Sequence, residues 1–410
     1  MNLDMYMTAG AGILALLLGV AFTRSLPLLK RLCIPAPVSG GLAISLLTLA
    51  VHVLFHADFT FDGTIKDLCM ILFFTSVGFQ SDLRVLRKGG RPLAVMIVLV
   101  ALLIVVQNLL SLGIARGMRL DPLVGMATGS IPMCGGHGTA GGFSPVLQDL
   151  GLANAASVTM AAATFGLVAG SLIGGPLGDW LIHRHALAQP AGGQDDPIVS
   201  LEADGAAAEK RVVSPVSKEQ TFRRYAQAVC QLLLCVALGM GVSKLLARTG
   251  ITFPTYFGAL LVGALVRNLL GSPRPGQTPP LCTDEIVAIG NICLSLFLGM
   301  AMATLKLWEL AGLMLPLVVI LLAQALFMAL YAALVAFPAL GRDYDAAVLA
   351  SGLCGFGLGA TPNAMANMSA VCFKYHYAVR PFVIVPILGA MFVDIINTGV
   401  ITLFLNLIAP

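Results

Sequence analysis

Long apolar stretches alternate with short polar segments along almost the whole chain. A bilayer core needs about 20 apolar residues per helix, and charged residues and Pro/Gly pairs cut this sequence into about ten stretches of that length. We predict membrane spans at 7–23, 34–56, 67–83, 92–115, 153–182, 225–247, 253–271, 284–305, 312–338 and 378–408. The pattern therefore predicts an all-α polytopic membrane protein.

Two segments, 121–150 and 344–373, are apolar but interrupted by glycines. Each interior glycine costs a helix roughly 1 kcal/mol relative to alanine, so a continuous helix is disfavoured there. Broken backbone at membrane depth is tolerated only inside protein or against water. We predict that both segments are re-entrant hairpins, which enter the membrane and return to the same side.

A polar segment at 183–224 separates the spans into two groups and is predicted to be an aqueous linker, partly disordered. The first group is 1–182 with hairpin 121–150, and the second is 225–410 with hairpin 344–373. An offset of 223 carries Gly136 onto Gly359, and an offset of 222 carries Gly90 onto Gly312. Five spans per copy predict two inverted repeats, the arrangement of many secondary transporters. Chance similarity between apolar segments is the alternative.

Composition agrees with the membrane class. With 58% hydrophobic and 11% charged residues, the chain is not a soluble domain with one buried core. The nine cysteines lack the paired spacing of a zinc site or a disulfide framework, and a net charge of +4 is too small to indicate a nucleic-acid partner. The first apolar stretch has no basic segment before it, so we expect a first span rather than a cleaved signal peptide.

Basic residues predict the orientation. If the N-terminus is outside, all but six of the 24 Lys and Arg residues fall on the opposite side. The six exceptions are Lys66, Arg116, Arg119, Lys244, Arg248 and Lys306. The positive-inside rule then predicts that both termini are outside and the linker is cytoplasmic. The first hairpin would enter from outside and the second from the cytoplasm, so that their tips face each other.

The hairpin tips are the candidate substrate site. Thr361 and Pro362 predict a helix start at the second tip, whose free N–H groups and dipole suit a carboxylate. At the first tip, glycines allow a ligand to approach the backbone. We expect substrate contacts from the following residues: Gly135, Gly136, His137, Gly138, Thr139, Gly359, Ala360, Thr361 and Asn363. The alternatives are a capped hairpin without a ligand and a His137 that bonds only within its loop.

Asp394 lies near the centre of the last predicted span, where an isolated charge is costly and normally faces a cavity, an ion or a partner. Asn397 is three residues further and on the same helix face. With Asn367 of the second hairpin, these residues supply the oxygen ligands that hard cations prefer. We predict a cation site of Asn367, Asp394 and Asn397, although this chemistry alone does not choose sodium over a proton. Alternatively, Asp394 accepts hydrogen bonds from hairpin backbone.

Several motifs carry a resemblance to a known family: Ile34 to Gly41, Gly135 to Thr139, Ala163 to Val168, Cys354 to Pro362, and Ala366 to Met368. Together they resemble the bacterial sodium/glutamate symporter family over nearly the whole chain. The resemblance implies sodium-driven glutamate uptake across the inner membrane by two inverted five-span repeats, usually as a homodimer, with sodium as coupling ion and no cofactor. Leu353, Asn363 and the segment Pro132 to Cys134 depart from the family pattern beside the predicted site, so they bear on substrate preference.

Other functions remain open at this point. Within the same class, the chain would carry another dicarboxylate or a hydroxycarboxylate, coupled to sodium or protons. An ion channel would need a continuous polar pore, whereas two opposed hairpins indicate a closed site. An intramembrane hydrolase would need a nucleophile and a base, and Ser130 and His137 share a loop without an elbow motif or paired aspartates. We therefore expect a carrier and not an enzyme.

The predicted orientation has a direct test. In a variant without native cysteines, Ser200→Cys in the linker should react with an impermeant maleimide only from the cytoplasmic side. Asp58→Cys, in a loop predicted to be outside, is the matched control and should react only from outside. Labelling of both positions from the same side would contradict the inverted arrangement of the hairpins.

Overall fold

The computed structural model describes residues 2–82, 84–187, 218–248, 253–271 and 281–408. Residues 188–217 of the predicted linker lie outside this range. The described chain is almost entirely helical, with one short parallel pair of strands, β1 (Asn2–Leu3) and β2 (Thr60–Phe61).

Within the described residues, sixteen helices are numbered here in chain order. They are α1 Met5–Ser25, α2 Pro27–Arg31, α3 Ala36–Phe55, α4 Thr64–Gln80, α5 Arg84–Gly117, α6 Pro122–Ala127, α7 Gly136–Asp149, α8 Ala155–Arg184, α9 Lys218–Ala247, α10 Phe257–Leu270, α11 Thr283–Ala303, α12 Met314–Tyr331, α13 Tyr344–Leu358, α14 Thr361–Lys374, α15 Val379–Met391 and α16 Val393–Ile408. A 3₁₀ helix, Leu307–Leu313, precedes α12, which continues through a π-helical turn, Ala332–Ala336, into Phe337–Ala339.

Among the described residues, seven helices are long and apolar enough to cross a membrane, or eight if the bent pair α15 and α16 is one span. The chain is thus a multi-pass membrane protein. The predicted span at 67–83 corresponds to α4, which also has 17 residues but begins at Thr64, and the predicted span at 253–271 corresponds to the shorter α10, with 14. Helix α9 begins at Lys218, inside the range predicted as linker.

Six helices, α1, α3, α4, α9, α10 and α11, pack on one another and are called the frame bundle here. Small residues bring their backbones close together. A Cβ atom on Gly263 of α10 would lie 2.7 Å from the Thr75 carbonyl oxygen, and one on Gly78 would lie 2.9 Å from the Ala264 nitrogen. Close packing of this kind holds helices together in lipid, where apolar surfaces have no hydrophobic drive to associate.

The remaining long helices, α5 to α8 and α12 to α16, form the hairpin bundle. Each predicted hairpin is a helix, a break and a second helix: α6 and α7 form the first hairpin, and α13 and α14 the second. Both are capped where they begin, because Asp121 accepts a hydrogen bond from the Leu123 N–H and Asp343 accepts one from the Ala346 N–H, each at 2.8 Å.

The two halves of the chain share local backbone features at the offsets seen in the sequence. The capping residues Asp121 and Asp343 precede equivalent hairpins. Arg119 and Arg342, just before the caps, both have left-handed backbone with φ of 60° and 57°. Few non-glycine residues adopt this conformation, so the match favours a duplicated unit.

The last predicted span, 378–408, is broken in the structure. Helices α15 and α16 meet at Phe392 and are bent by 47°. As a result, Asp394 lies in the first turn of α16 instead of mid-helix. The positive end of a helix dipole stabilises a carboxylate in this position, which explains why the break accompanies the buried acid.

The α4–α10 contact predicts which glycines the fold needs. Gly78→Leu should lower the free energy of unfolding by about 2 kcal/mol or more, because the side chain would push two backbones apart. Gly113→Leu, on α5 with no atom near its Cβ position, is the matched control. Thermal unfolding of the purified protein in detergent measures both variants, and equal midpoints would contradict this account of the packing.

Candidate functional site

A cavity of about 280 Å³ lies where the two hairpin tips meet the frame bundle. The hairpin bundle supplies Cys134 to Thr139, Leu167, Phe356, Gly359 to Pro362, Gly389, Val393 and Asp394. The frame side supplies Pro35, Phe73, Phe74, Leu294 and Leu298. The cavity is therefore bounded by both bundles, and any movement of one against the other would change its access.

The tips of the two hairpins touch at the cavity. Gly136 has left-handed backbone with φ of 59°, and a Cβ atom there would lie 2.7 Å from the Gly359 carbonyl oxygen. Only glycine combines this backbone with so close an approach at low cost. The two predicted tips are thus adjacent in the fold.

Three helices begin at the cavity wall. Helix α7 begins at Gly136, α14 at Thr361 and α16 at Val393, and all three first residues line the cavity. A helix N-terminus carries unpaired N–H groups and about half a positive charge. Three such ends make the cavity attractive to carboxylates although no Lys or Arg is among its described lining residues.

Asp394 is the one charged side chain among the described lining residues. No described group forms an ion pair or a hydrogen bond with its carboxylate. An acid inside a membrane protein without a partner is costly and normally marks an ion or substrate position. The cavity therefore offers helix N-termini to anionic groups and one carboxylate to a cation.

The predicted substrate residues divide into two sets. Gly135 to Thr139 and Gly359 to Thr361 line the cavity. Asn363 does not, because its Nδ2 donates to the Leu167 carbonyl of α8 at 2.8 Å. The helix start predicted at Thr361 and Pro362 is present: Ala360 is the N-cap of α14 and Thr361 is its first helical residue. The buried His137 ring contacts the Thr164 hydroxyl at 3.0 Å, a partner on α8 and outside its own loop.

The three predicted cation ligands are not gathered at one point. Asp394 lines the cavity, and Asn397 lies one turn further along α16. The Asn397 amide donates to the Ser130 carbonyl at 3.2 Å, whereas its Oδ1 has no hydrogen-bond partner. Asn367 instead donates to the Gly170 carbonyl at 2.9 Å and holds α14 against α8.

The frame residues of the cavity were missing from the sequence-based site. Phe73, Phe74, Leu294 and Leu298 lie on ordinary apolar spans, and hydropathy does not distinguish a wall of the site from a lipid-facing or core position. The sequence carried only one weak signal, Ser76 and Gly78 within α4, which indicate a local distortion of an apolar span. Their contact with the tips is a product of tertiary packing alone.

Comparison with known proteins agrees with this architecture. A family model described as sodium/glutamate symporter matches residues 1–377. The sodium/glutamate symporters of Escherichia coli K12 and Shigella flexneri are each 40% identical over 410 residues, covering 99% of this chain and 98% of theirs. That of Haemophilus influenzae is 35% identical over 398 residues, covering 97% of this chain and 96% of its own. The chain belongs to the sodium/glutamate symporter family.

Proposed function

We propose that this protein is a carrier that couples the entry of glutamate to that of sodium by alternating access. Its relatives are sodium/glutamate symporters over nearly their full length. The observation that carries the proposal is the convergence of three helix N-termini on one cavity that also contains a single carboxylate. Such a site suits a doubly carboxylated substrate together with a cation.

The substrate contacts follow from this geometry. The N-termini of α7 and α14 receive the substrate carboxylates, with Gly135 to Thr139 and Gly359 to Thr361 in contact. Asn363 and Asn367 keep the second tip in place through α8. Sodium lies near Asp394 and Asn397, where its charge offsets the buried carboxylate.

Movement between the bundles provides the access step. The frame side of the cavity is mainly aromatic and aliphatic, so displacement of the hairpin bundle breaks few polar contacts there. We also propose the finer arrangement predicted above: two inverted five-span repeats, termini outside the bacterial inner membrane and a homodimer. The matching caps and left-handed residues of the two hairpins support the duplication.

Uptake into liposomes tests the proposal. Proteoliposomes should accumulate labelled glutamate when an inward sodium gradient is imposed, and not when potassium replaces sodium. Excess unlabelled malate or citrate should compete poorly, while strong competition would indicate the alternative dicarboxylate or hydroxycarboxylate carrier. Accumulation without any dependence on sodium would contradict the proposed coupling.

The contact of the tips makes a specific prediction for Gly136. Gly136→Ala should reduce uptake to about a tenth or less, because the added Cβ atom meets the opposite tip and strains the left-handed backbone. Gly151→Ala separates the two effects, since Gly151 has φ of 115° but open space around its Cβ position. Both variants should insert, and only Gly136→Ala should lose uptake. Similar uptake by the two would show that the tips need no close contact.

A further inference from the structure

Tyr256 extends from the frame bundle into the hairpin bundle. It precedes α10 and is completely buried. Its ring stacks on Phe74 of the frame with centroids 3.7 Å apart, and meets Phe143 of α7 edge-on at 6.3 Å. Apolar contacts with both bundles therefore hold the ring at the interface between them, and its hydroxyl has a fixed direction.

That hydroxyl points to the start of α16. It lies beside the Thr398 side chain and within electrostatic range of the Asp394 carboxylate. Thr398 is four residues after Asp394, so the two share a helix face. Asn397 is three residues after Asp394 and therefore its neighbour on the helix surface, next to Thr398 in the chain. A frame residue and three residues of the hairpin bundle thus converge at the break in the last span.

The oxygens at this point are buried and have no partner outside the group. The hydroxyls of Tyr256 and Thr398 have no hydrogen-bond partner beyond each other, the Oδ1 of Asn397 has none, and each of these side chains is at most 1% exposed. A buried threonine usually bonds a carbonyl of its own helix, but Thr398 does not. Leaving such groups unsatisfied is costly, so three of them beside the Asp394 carboxylate indicate a binding site for a ligand that accepts oxygen donors.

We propose that Tyr256 is the frame-side ligand of the coupling cation, which binds between Tyr256, Asp394, Thr398 and Asn397. One carboxylate and three neutral oxygens are the donor set that a hard monovalent cation takes. This assignment rests on the proposed sodium coupling and adds a residue that the sequence did not indicate.

The consequence is a physical link between the cation and the conformation. Three ligands move with the hairpin bundle, whereas Tyr256 stays with the frame. The complete site exists only when the bundles are arranged as in this structure, so sodium stabilises this arrangement by its differential affinity. The ion therefore favours the state in which the cavity is assembled. As a result, sodium binding strengthens substrate binding, and substrate binding strengthens sodium binding.

The test compares sodium dependence between the parent and single-atom variants of the full-length protein. Tyr256→Phe keeps the ring and its stacking but removes the hydroxyl. The sodium concentration that half-activates glutamate binding should rise about tenfold, the effect expected for loss of one contact to a charged group. The preference for sodium over lithium should also change. Glutamate binding at saturating sodium should stay within about twofold of the parent.

Two matched controls remove similar atoms elsewhere. Tyr331→Phe removes a buried hydroxyl that donates to the Leu99 carbonyl at 2.7 Å within the hairpin bundle. Thr402→Val removes another unpaired hydroxyl one turn beyond Thr398. Both should keep the parent's dependence of glutamate binding on sodium concentration and its preference for sodium over lithium. Thr398→Val, in contrast, should behave like Tyr256→Phe. A merely structural Tyr256 would change thermal stability without changing the ion preference.

The outcomes separate this inference from the proposed function. If the parent binds glutamate with a sodium requirement and Tyr256→Phe has the same sodium curve, Tyr256 is not a ligand and the inference is wrong. If glutamate binding by the parent itself ignores sodium, the proposed function is wrong. Should Tyr256→Phe fold poorly, Thr398→Val and Thr398→Ser replace it as the test. A higher half-activating sodium concentration in Thr398→Val and a parental one in Thr398→Ser would support the site. Parental sodium activation of glutamate binding in both variants would contradict it.

Discussion

The structure depends on satisfying the polar backbone that two broken helices expose inside a membrane. Neighbouring helices supply the partners. The Asn108 side chain of α5 accepts a hydrogen bond from the Ser130 N–H at 2.8 Å, and the Gln107 amide donates to the Gly357 carbonyl at 2.7 Å. The side-chain amide of Gln324 on α12 donates in turn to the backbone carbonyl of Gln107 at 2.8 Å. One polar pair on α5 therefore ties both hairpins to the same helix and fixes the tips against each other.

Once the tips are fixed, the site can be built mainly from backbone. Recognition by helix N-termini needs no basic side chain, and a long flexible cation in the centre of a membrane protein would be expensive to bury. In the proposed function, the single carboxylate of the cavity, Asp394, balances a bound cation, so substrate and ion would occupy a cavity of modest net charge. The same proposal accounts for the glycines where the helices begin, because a ligand there would approach the chain itself.

Much of this was accessible from the sequence, for identifiable reasons. The spans follow from hydropathy, and the hairpins at 121–150 and 344–373 from glycines in apolar context. The isolated charge marked Asp394 as special. The break at Phe392 was missed because 378–408 is apolar enough on average for one span, and hydropathy does not report whether a helix is continuous. Asn367 and Asn397 show a second limit of sequence-based prediction. Residue type and spacing identify possible oxygen ligands, but only the packing shows that the Asn367 amide is bonded to a carbonyl of α8.

The interface between the frame bundle and the hairpin bundle has to meet two opposite requirements of a carrier: easy movement, and a conformation that depends on the bound ion. Where it borders the cavity it presents Phe73, Phe74, Leu294 and Leu298, which gain little from staying in contact, because lipid solvates such surfaces equally well. The polar contacts that fix the hairpins instead lie within the hairpin bundle, between α5, α8 and the tips. The proposed movement would therefore leave the recognition elements intact and, at the cavity, exchange one apolar contact for another. The hydroxyl of Tyr256 is a polar exception at this interface, which is where a dependence of conformation on a bound ion would have to arise.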